Sequence, residues 1–170
     1  MAVVASDIKL YLSPSGNSNP NAALGGTISA TEVVTSPTLN NLFDNVSGTE
    51  ANAGDTEYRG IYVKNTNGSD TASSVKVAVP SQVSGGASIE IGLDAAGVGD
   101  GASTGVMTTI ANESTAPGSV SFSAPTTDSG GLSIGDLDAA EVHGLWFKRT
   151  VAAGTTALSA DGVTLRVYFD

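Results

Sequence analysis

The stretch YRGIYVKN, residues 58–65, is the part of the chain that decides the fold. In a β-strand, successive side chains point to opposite faces of the sheet. One face of this stretch would carry Tyr58, Gly60, Tyr62 and Lys64, and the other would carry Arg59, Ile61 and Val63. Both faces have apolar members, which predicts a central strand.

Shorter runs of β-prone residues occur on both sides of this stretch, and most are bounded by Gly, Pro, Asn or Ser. They lie at residues 8–12, 75–79, 89–93, 106–110, 120–122, 131–138, 142–151 and 163–169. About eight short strands separated by turns predict an all-β protein, an antiparallel β-sandwich of immunoglobulin-like or jelly-roll type. The pattern does not choose between these two topologies.

The connections between the runs follow from their turn residues. The Asn67-Gly68 pair predicts a hairpin or a sheet-to-sheet corner after the central strand. Pro80 is expected to end the strand that begins at Val75, because proline cannot donate a hydrogen bond to a neighbouring strand. The Gly-rich residues 93–105 predict a long loop.

The region before the central strand is less regular. We expect residues 1–55 to form an N-terminal strand and an extended arm, and residues 56–170 to form the β-sandwich domain. Apolar residues of this arm are expected to line a short helical turn or a packed loop. They are Leu39, Leu42, Phe43 and Val46. These anchors would dock on the sandwich itself or on a neighbouring subunit.

The chain is acidic, with a formal net charge of −10. Such a charge repels phosphate backbones and anionic bilayers, so neither nucleic acid nor a membrane is an expected partner. No Lys or Arg lies between Lys76 and Lys148, and we expect this stretch to be solvated and anionic. Its acidic residues are Glu90, Asp94, Asp100, Glu113, Asp128, Asp136, Asp138 and Glu141.

The basic residues all lie inside or beside runs that are predicted as strands. They are Lys9, Arg59, Lys64, Lys76, Lys148, Arg149 and Arg166. Such residues could mark sheet edges or a contact face. The alternative is that they occupy ordinary solvent-facing strand positions.

The chain contains no Cys, which excludes disulfides and thiolate chemistry. Its first ten residues, MAVVASDIKL, lack the basic start and the apolar segment of a signal peptide. No later apolar run approaches membrane-spanning length. We therefore expect a soluble, unexported chain.

Residues with catalytic potential are sparse. His143 is the single histidine, and the many serines of the chain lie in generic turns. Asp136, Asp138 and Glu141 are close in sequence, but a glycosidase would also need aromatic surface for its sugar, and aromatic residues make up only 5% of the chain. We predict a protein that is not an enzyme and has no catalytic residues.

Cofactor sites are equally weak in the sequence. Residues 97–105, GVGDGASTG, are rich in Gly but lack the lysine of a phosphate-binding loop. Calcium is the least implausible ion, because Asp94 with Asp100, or Asp136 with Asp138, would offer carboxylate oxygens. Neither pair has EF-hand spacing, and acidic turns that keep the surface solvated are the simpler interpretation. We predict no cofactor and no metal site.

Several longer segments resemble small structural proteins encoded by tailed bacteriophages. They are DIKLYLSPSGNSNPNAALGGTIS (7–29), LNNLFDNVSGTEANAGDTEYRGIYVKNT (39–66), GLWFKRTVAAG (144–154) and DGVTLRVYFD (161–170). The resemblance implies a virion component that is made in the host cytoplasm. Among such components, small acidic β-sandwiches resemble decoration or cement proteins, which sit on capsid lattices, often as symmetric trimers, and bridge neighbouring capsomers.

The resemblance thus favours a capsid decoration protein that stabilises the phage head. Its partners would be the major capsid protein and copies of itself, for example in a homotrimer. The arm and the basic strand residues would contact other subunits, and the acidic stretch would face solvent. Two alternatives stay open: a tail, neck or baseplate component, and a receptor- or carbohydrate-binding module.

Overall fold

The computed structural model describes residues 2–34 and 38–170. Within these ranges the chain forms seven strands: β1 (Ile8–Leu12), β2 (Asp55–Asn65), β3 (Ala72–Gln82), β4 (Ser88–Gly99), β5 (Leu132–Leu137), β6 (Val142–Val151) and β7 (Val163–Tyr168). One short helix, α1 (Gly48–Ala53), precedes β2. Ser47 caps it, because its side chain accepts a hydrogen bond from the Glu50 amide while the Glu50 carboxylate accepts one from the Ser47 amide.

The strands form two antiparallel sheets, one in the order β1-β2-β6-β4 and the other in the order β5-β3-β7. The prediction of an antiparallel β-sandwich is confirmed. From β2 onward, each connection carries the chain from one sheet to the other, so the turn after Asn65 is the predicted sheet-to-sheet corner. In the immunoglobulin constant-type order, the fifth strand lies beside the second strand. In this chain the sixth strand, β6, lies beside β2.

β2 is a central strand, as its alternation predicts. It pairs with β1 on one side and with β6 on the other. Its odd-numbered residues, such as Ile61 and Val63, belong to the core between the two sheets. Its even-numbered residue Tyr62 belongs to a second apolar cluster. The four-stranded sheet is therefore covered on both faces.

Loops cover the outer face of this sheet, which points away from the three-stranded sheet. The predicted strands 106–110 and 120–122 are wrong, because these residues form only single bridges, at Met107 with Gly26 and, next to the second run, at Ser123 with Ile91. Their apolar side chains instead pack on the outer face of the sheet. Met107, Ile110, Val120 and Phe122 surround Tyr62, Val142 and Trp146 there.

Two further boundaries differ from prediction. β3 continues past Pro80 to Gln82, with an irregular register between Ala78 and Ser81 that accommodates the proline. β4 continues through Asp94 to Gly99, so half of the predicted Gly-rich loop is strand. Its pairing with β6 resumes at Val98 after a register shift, and β6 supplies the hydrogen-bonding partner that local sequence does not reveal.

Several of the described residues before Asp55 pack on the sandwich. β1 pairs with β2 along its length, and Leu12, Ala23 and Leu42 are buried in the inter-sheet core cluster. The Gly60 amide donates to the Ala23 carbonyl oxygen at 2.7 Å, which ties the loop after β1 to the centre of the sheet. Of the two docking alternatives for this region, the structure has it packed on its own sandwich.

Candidate functional site

Buried charges occupy one end of the space between the sheets. Arg59 on β2 and Arg149 on β6 are 0% and 7% exposed, and Glu57 on β2 is 2% exposed. Glu57 and Arg149 are direct cross-strand partners, and their side chains form an ion pair. Arg59 lies 3.8 Å from the Glu57 carboxylate and 2.5 Å from the carboxylate of Glu113. Burial raises the pKa of the Glu57 carboxyl, and Arg149 and Arg59 oppose that rise.

The segment 38–46, which we call the strap, closes this end of the sandwich. The Phe43 ring lies beneath both guanidiniums, with its centroid 5.3 Å from Cζ of Arg59 and 4.8 Å from Cζ of Arg149. Arg149 also donates to the Asp44 carbonyl oxygen at 2.6 Å and to its carboxylate at 3.2 Å. Cation–π contacts and charge-assisted hydrogen bonds therefore fix the strap to the sheet.

The strap also presents apolar side chains to water. Leu42 is buried, whereas Leu39 is 68% exposed and Val46 is 36% exposed. Val34, which precedes the strap, is 59% exposed. The predicted packed loop is thus present around Leu42 and Phe43, but two of its four predicted anchors point outward. Val34, Leu39 and Val46 are thus exposed apolar side chains in and beside a segment that is anchored to the sheet.

Both interpretations of the basic residues are wrong for Arg59 and Arg149, which lie on central strands in the interior. Alternation places Arg59 on the same face as Ile61 and Val63, so it must enter the core, where Glu57 and Glu113 balance it. Three other basic residues pair near the surface: Lys9 with Glu32, Lys76 with Asp128, and Lys148 with Glu90. Within the described residues, Lys64 and Arg166 have no carboxylate within 4.0 Å.

Asp94 departs from the expected solvated acidic stretch, because it is 3% exposed. Its Oδ2 accepts hydrogen bonds from the Trp146 indole at 2.8 Å and from the Thr108 amide at 3.1 Å. Its Oδ1 accepts from the Ala96 amide. This carboxylate therefore connects Thr108, in the loop on the outer face, to Trp146 of the sheet.

Asp100, the calcium partner considered for Asp94, caps a tight turn. Its Oδ1 accepts from the amides of Ala102, Ser103 and Thr104 at 2.7 to 2.9 Å. The amides of Thr104, Ser103 and Ala102 hold the pKa of the Asp100 carboxyl well below its usual range. Both carboxylate oxygens of Asp94 and Oδ1 of Asp100 thus accept hydrogen bonds from N–H groups of the protein itself.

The remaining acidic candidates organise the turns around β5. Asp136 accepts from the Ser74 amide, and Asp138 accepts from the Thr71 hydroxyl. The Glu141 carboxylate accepts from the Asp138 amide at 2.9 Å, which closes the turn between β5 and β6. The arrangement of these three residues is accounted for by local backbone and side-chain contacts.

A different set of carboxylates lies close together, at Glu50, Asp55 and Glu57, with ligand atoms within 4.8 Å of one another. Sequence spacing gave no sign of it. Glu50 is engaged in the cap of α1, and Glu57 is in contact with the Arg149 guanidinium. That positive charge opposes a cation at the same place.

His143 lies in β6 and is 6% exposed. Its Nδ1 is 2.9 Å from the Gly144 carbonyl oxygen. Burial lowers the pKa of His143, an effect that the Gly144 carbonyl and Asp94 partly oppose. The imidazole is therefore part of the packed interior.

Comparisons with known proteins give no relative: no family model, no curated protein and no solved structure matches the chain. Among residues 2–34 and 38–170, no helix has the length and apolar character needed to cross a bilayer.

Proposed function

We propose that this chain is a structural protein of a tailed-phage virion, which decorates the capsid and stabilises the head by bridging capsomers. Its partners are then the major capsid protein and further copies of the chain. The proposal starts from the resemblance of segments 7–29, 39–66, 144–154 and 161–170 to phage structural proteins. A β-sandwich with one sheet covered on both faces is a rigid support of the kind that such a role requires.

The outward apolar side chains of the strap and its neighbour Val34 are the observation that carries the proposal. Leu39 and Val34 expose more than half of their surface, although the adjoining Leu42 and Phe43 are packed. Arg149 holds Asp44 of the same strap, so the segment is already ordered before it meets a partner. A preorganised contact loses less conformational entropy on binding.

The charge distribution suits a capsid exterior. Asp100, Asp128, Asp136 and Asp138 are all exposed. These carboxylates favour solvent and disfavour nucleic acid and anionic bilayers. In a decorated particle they would form the solvent side, and the strap would form the capsid side.

A binding experiment with shells that lack the chain tests this role. Particles are made from the phage with this gene deleted, and purified chain is added back and co-sedimented with heads or with tails. We expect Leu39→Asp to weaken binding to heads at least tenfold, because burying one leucine contributes about 1.5–3 kcal/mol. Leu158→Asp is the matched control, since Leu158 is 44% exposed but lies between β6 and β7.

The outcomes separate the alternatives. Head binding that is lost in Leu39→Asp and kept in Leu158→Asp supports the proposal. Binding to tails alone would assign the chain to the tail, neck or baseplate, and binding to a glycan array without binding to particles would indicate a receptor- or carbohydrate-binding module. Equal head binding by both variants would contradict the role of the strap.

A further inference from the structure

The two sheets have four edge strands, and three of them are protected. β1 is covered by the chain that follows it, because the Leu12 amide donates to Thr31 at 2.9 Å and the Val33 amide donates to Leu10 at 2.8 Å. β4 is covered by Ser123, which exchanges hydrogen bonds of 2.8 and 3.0 Å with Ile91. Covering an edge prevents another chain from adding a strand there.

β5 is protected in a different way. It has only six residues, and Gly135 adopts a φ of 92° in the middle of it. The register between β3 and β5 shifts twice over the same region. Such irregularity twists an edge away from regular pairing.

Within the described residues, no segment forms backbone hydrogen bonds with the outer edge of β7. It has six residues, as β5 does, but it contains no Gly or Pro, and its pairing with β3 shifts register once, between Ala78 and Ser81. The Asp170 amide donates to Ser73, and the Val83 amide donates to Gly162, so even-numbered residues turn their backbone groups toward β3. The backbone groups of Leu165 and Val167 therefore face the free edge, where the described part of the chain offers them no partner.

Two copies of this edge would have complementary charges. Arg166 is exposed and has no carboxylate partner among the described residues, and Asp170 is exposed four positions later. If two copies of β7 run antiparallel about a two-fold axis at Tyr168, each Arg166 lies opposite Asp170 of the other copy. In that register Val167 pairs with Phe169, and both present backbone groups to the shared edge.

A cleft with many apolar side chains lies next to the same edge. It is lined by half-buried Ile8, Leu10, Val33, Leu165, Val167 and Phe169, together with Ala5 and the charged residues Lys9, Glu32 and Arg166. A second chain along β7 would reduce the exposure of these side chains. Apolar burial would therefore accompany the backbone pairing.

We propose that the free edge of β7 pairs with β7 of a second copy of this chain, which joins two three-stranded sheets into one of six strands. The unpaired cation and the nearby carboxylate select the antiparallel register and a two-fold dimer. This inference stands on the edge geometry alone and is independent of the virion role.

Charge exchange in the full-length chain tests the pairing. Arg166→Asp opposes Asp170 with a like charge, and the double variant Arg166→Asp/Asp170→Arg restores an opposite-charge pair. Lys64→Asp is the matched control, because Lys64 also has no carboxylate partner within the described residues but lies on central β2. Sedimentation velocity measures mass, and hydrogen exchange measures the protection of the Val167 and Phe169 amides.

We expect the unmodified chain, Lys64→Asp and the double variant to be dimers, with both amides protected. Arg166→Asp should raise the dimer dissociation constant at least tenfold, about 1.4 kcal/mol, and expose both amides. Unchanged exchange at β2 and β6 amides shows that each variant is folded. A monomeric unmodified chain, a dimer that Arg166→Asp leaves intact, or a trimer would overturn the pairing, and none of these would contradict head binding.

Discussion

Arg149 on β6 and Glu57 on β2 face each other across the strand pair and form an ion pair inside the sandwich. Arg149 also holds Asp44, so this one guanidinium connects the strap, β2 and β6. A buried ion pair contributes little net stability over apolar residues of the same size, but the loss of one partner leaves a charge without compensation. The cluster therefore specifies where the strap docks.

We expect Arg149→Ala to lower the free energy of unfolding by about 3–5 kcal/mol, because it leaves Glu57 buried and frees Asp44. Urea denaturation measures the change. Lys9→Ala is the control, since it removes an ion pair whose side chains are 39% and 49% exposed, and it should change the free energy of unfolding little because solvent screens the pair.

The pair can also be replaced as a unit. Glu57→Leu/Arg149→Met should be more stable than Arg149→Ala, because no unpaired charge remains at these two positions. Equal losses of unfolding free energy in Arg149→Ala and Lys9→Ala would show that the charges of Glu57 and Arg149 are not buried as described.

The stability of the chain should fall as pH decreases below about 6.5. His143 is the only histidine, and burial lowers its pKa from the ordinary value of 6.5. Between that value and the lower folded pKa, the unfolded chain binds a proton that the folded chain does not, so acid favours unfolding. The slope is at most about 1.4 kcal/mol per pH unit for one proton.

Urea denaturation at about pH 7.5 and pH 5.5 measures this dependence, in a range where few carboxyl groups titrate. His143→Asn should abolish the slope, because its amide carries no titrating proton. A flat profile in the unmodified chain, or the same slope in the variant, would be inconsistent with a buried neutral imidazole.

Two glycines with similar φ angles test the loop that covers the outer face. Gly25 and Gly16 have φ values of 82° and 79°, but a Cβ on Gly25 would lie 1.9 Å from the Thr108 carbonyl oxygen, whereas one on Gly16 meets nothing within 4 Å. Gly16→Ala should cost about 1–2 kcal/mol from the left-handed conformation alone. Gly25→Ala should cost about 1–3 kcal/mol more, because the loop must move away from the sheet.

Fluorescence of Trp146, the single tryptophan, reports that movement, since its indole lies next to Gly25. We expect a red shift in Gly25→Ala and none in Gly16→Ala. Equal stability and equal spectra in the two variants would mean that the loop does not lie against the sheet.

The sandwich could be predicted from sequence because its central strand has apolar residues at both odd- and even-numbered positions, as Ile61 and Tyr62 show. The same alternation contained a sign of the buried cluster, since Glu57 and Arg59 share the parity of Ile61 and Val63. What could not be read locally was the register that brings Arg149 to Glu57 across 92 residues of chain. Without that partner, a basic residue in a strand is more simply placed in solvent.

The loops that cover the outer face of the four-stranded sheet were not predicted from the sequence, for a related reason. Residues 106–110 have the composition of a strand, but the side chains of Met107 and Ile110 pack against the outer face of the four-stranded sheet. Conversely, Gly99 belongs to a strand because it pairs with Val142 of β6, and a loop crosses it closely: a Cβ there would lie 2.4 Å from the carbonyl carbon of Thr104. In both places long-range packing overrides the local preference.

Imaging of purified virions is the strongest test of the proposed role of this chain on the phage head. Cryo-electron microscopy would compare the intact phage with a mutant that lacks this gene. We expect density for a β-sandwich on the outer surface of the head in the intact phage and its loss from the mutant, with tails unchanged. Density confined to the tail, or heads that are identical with and without the gene, would contradict it.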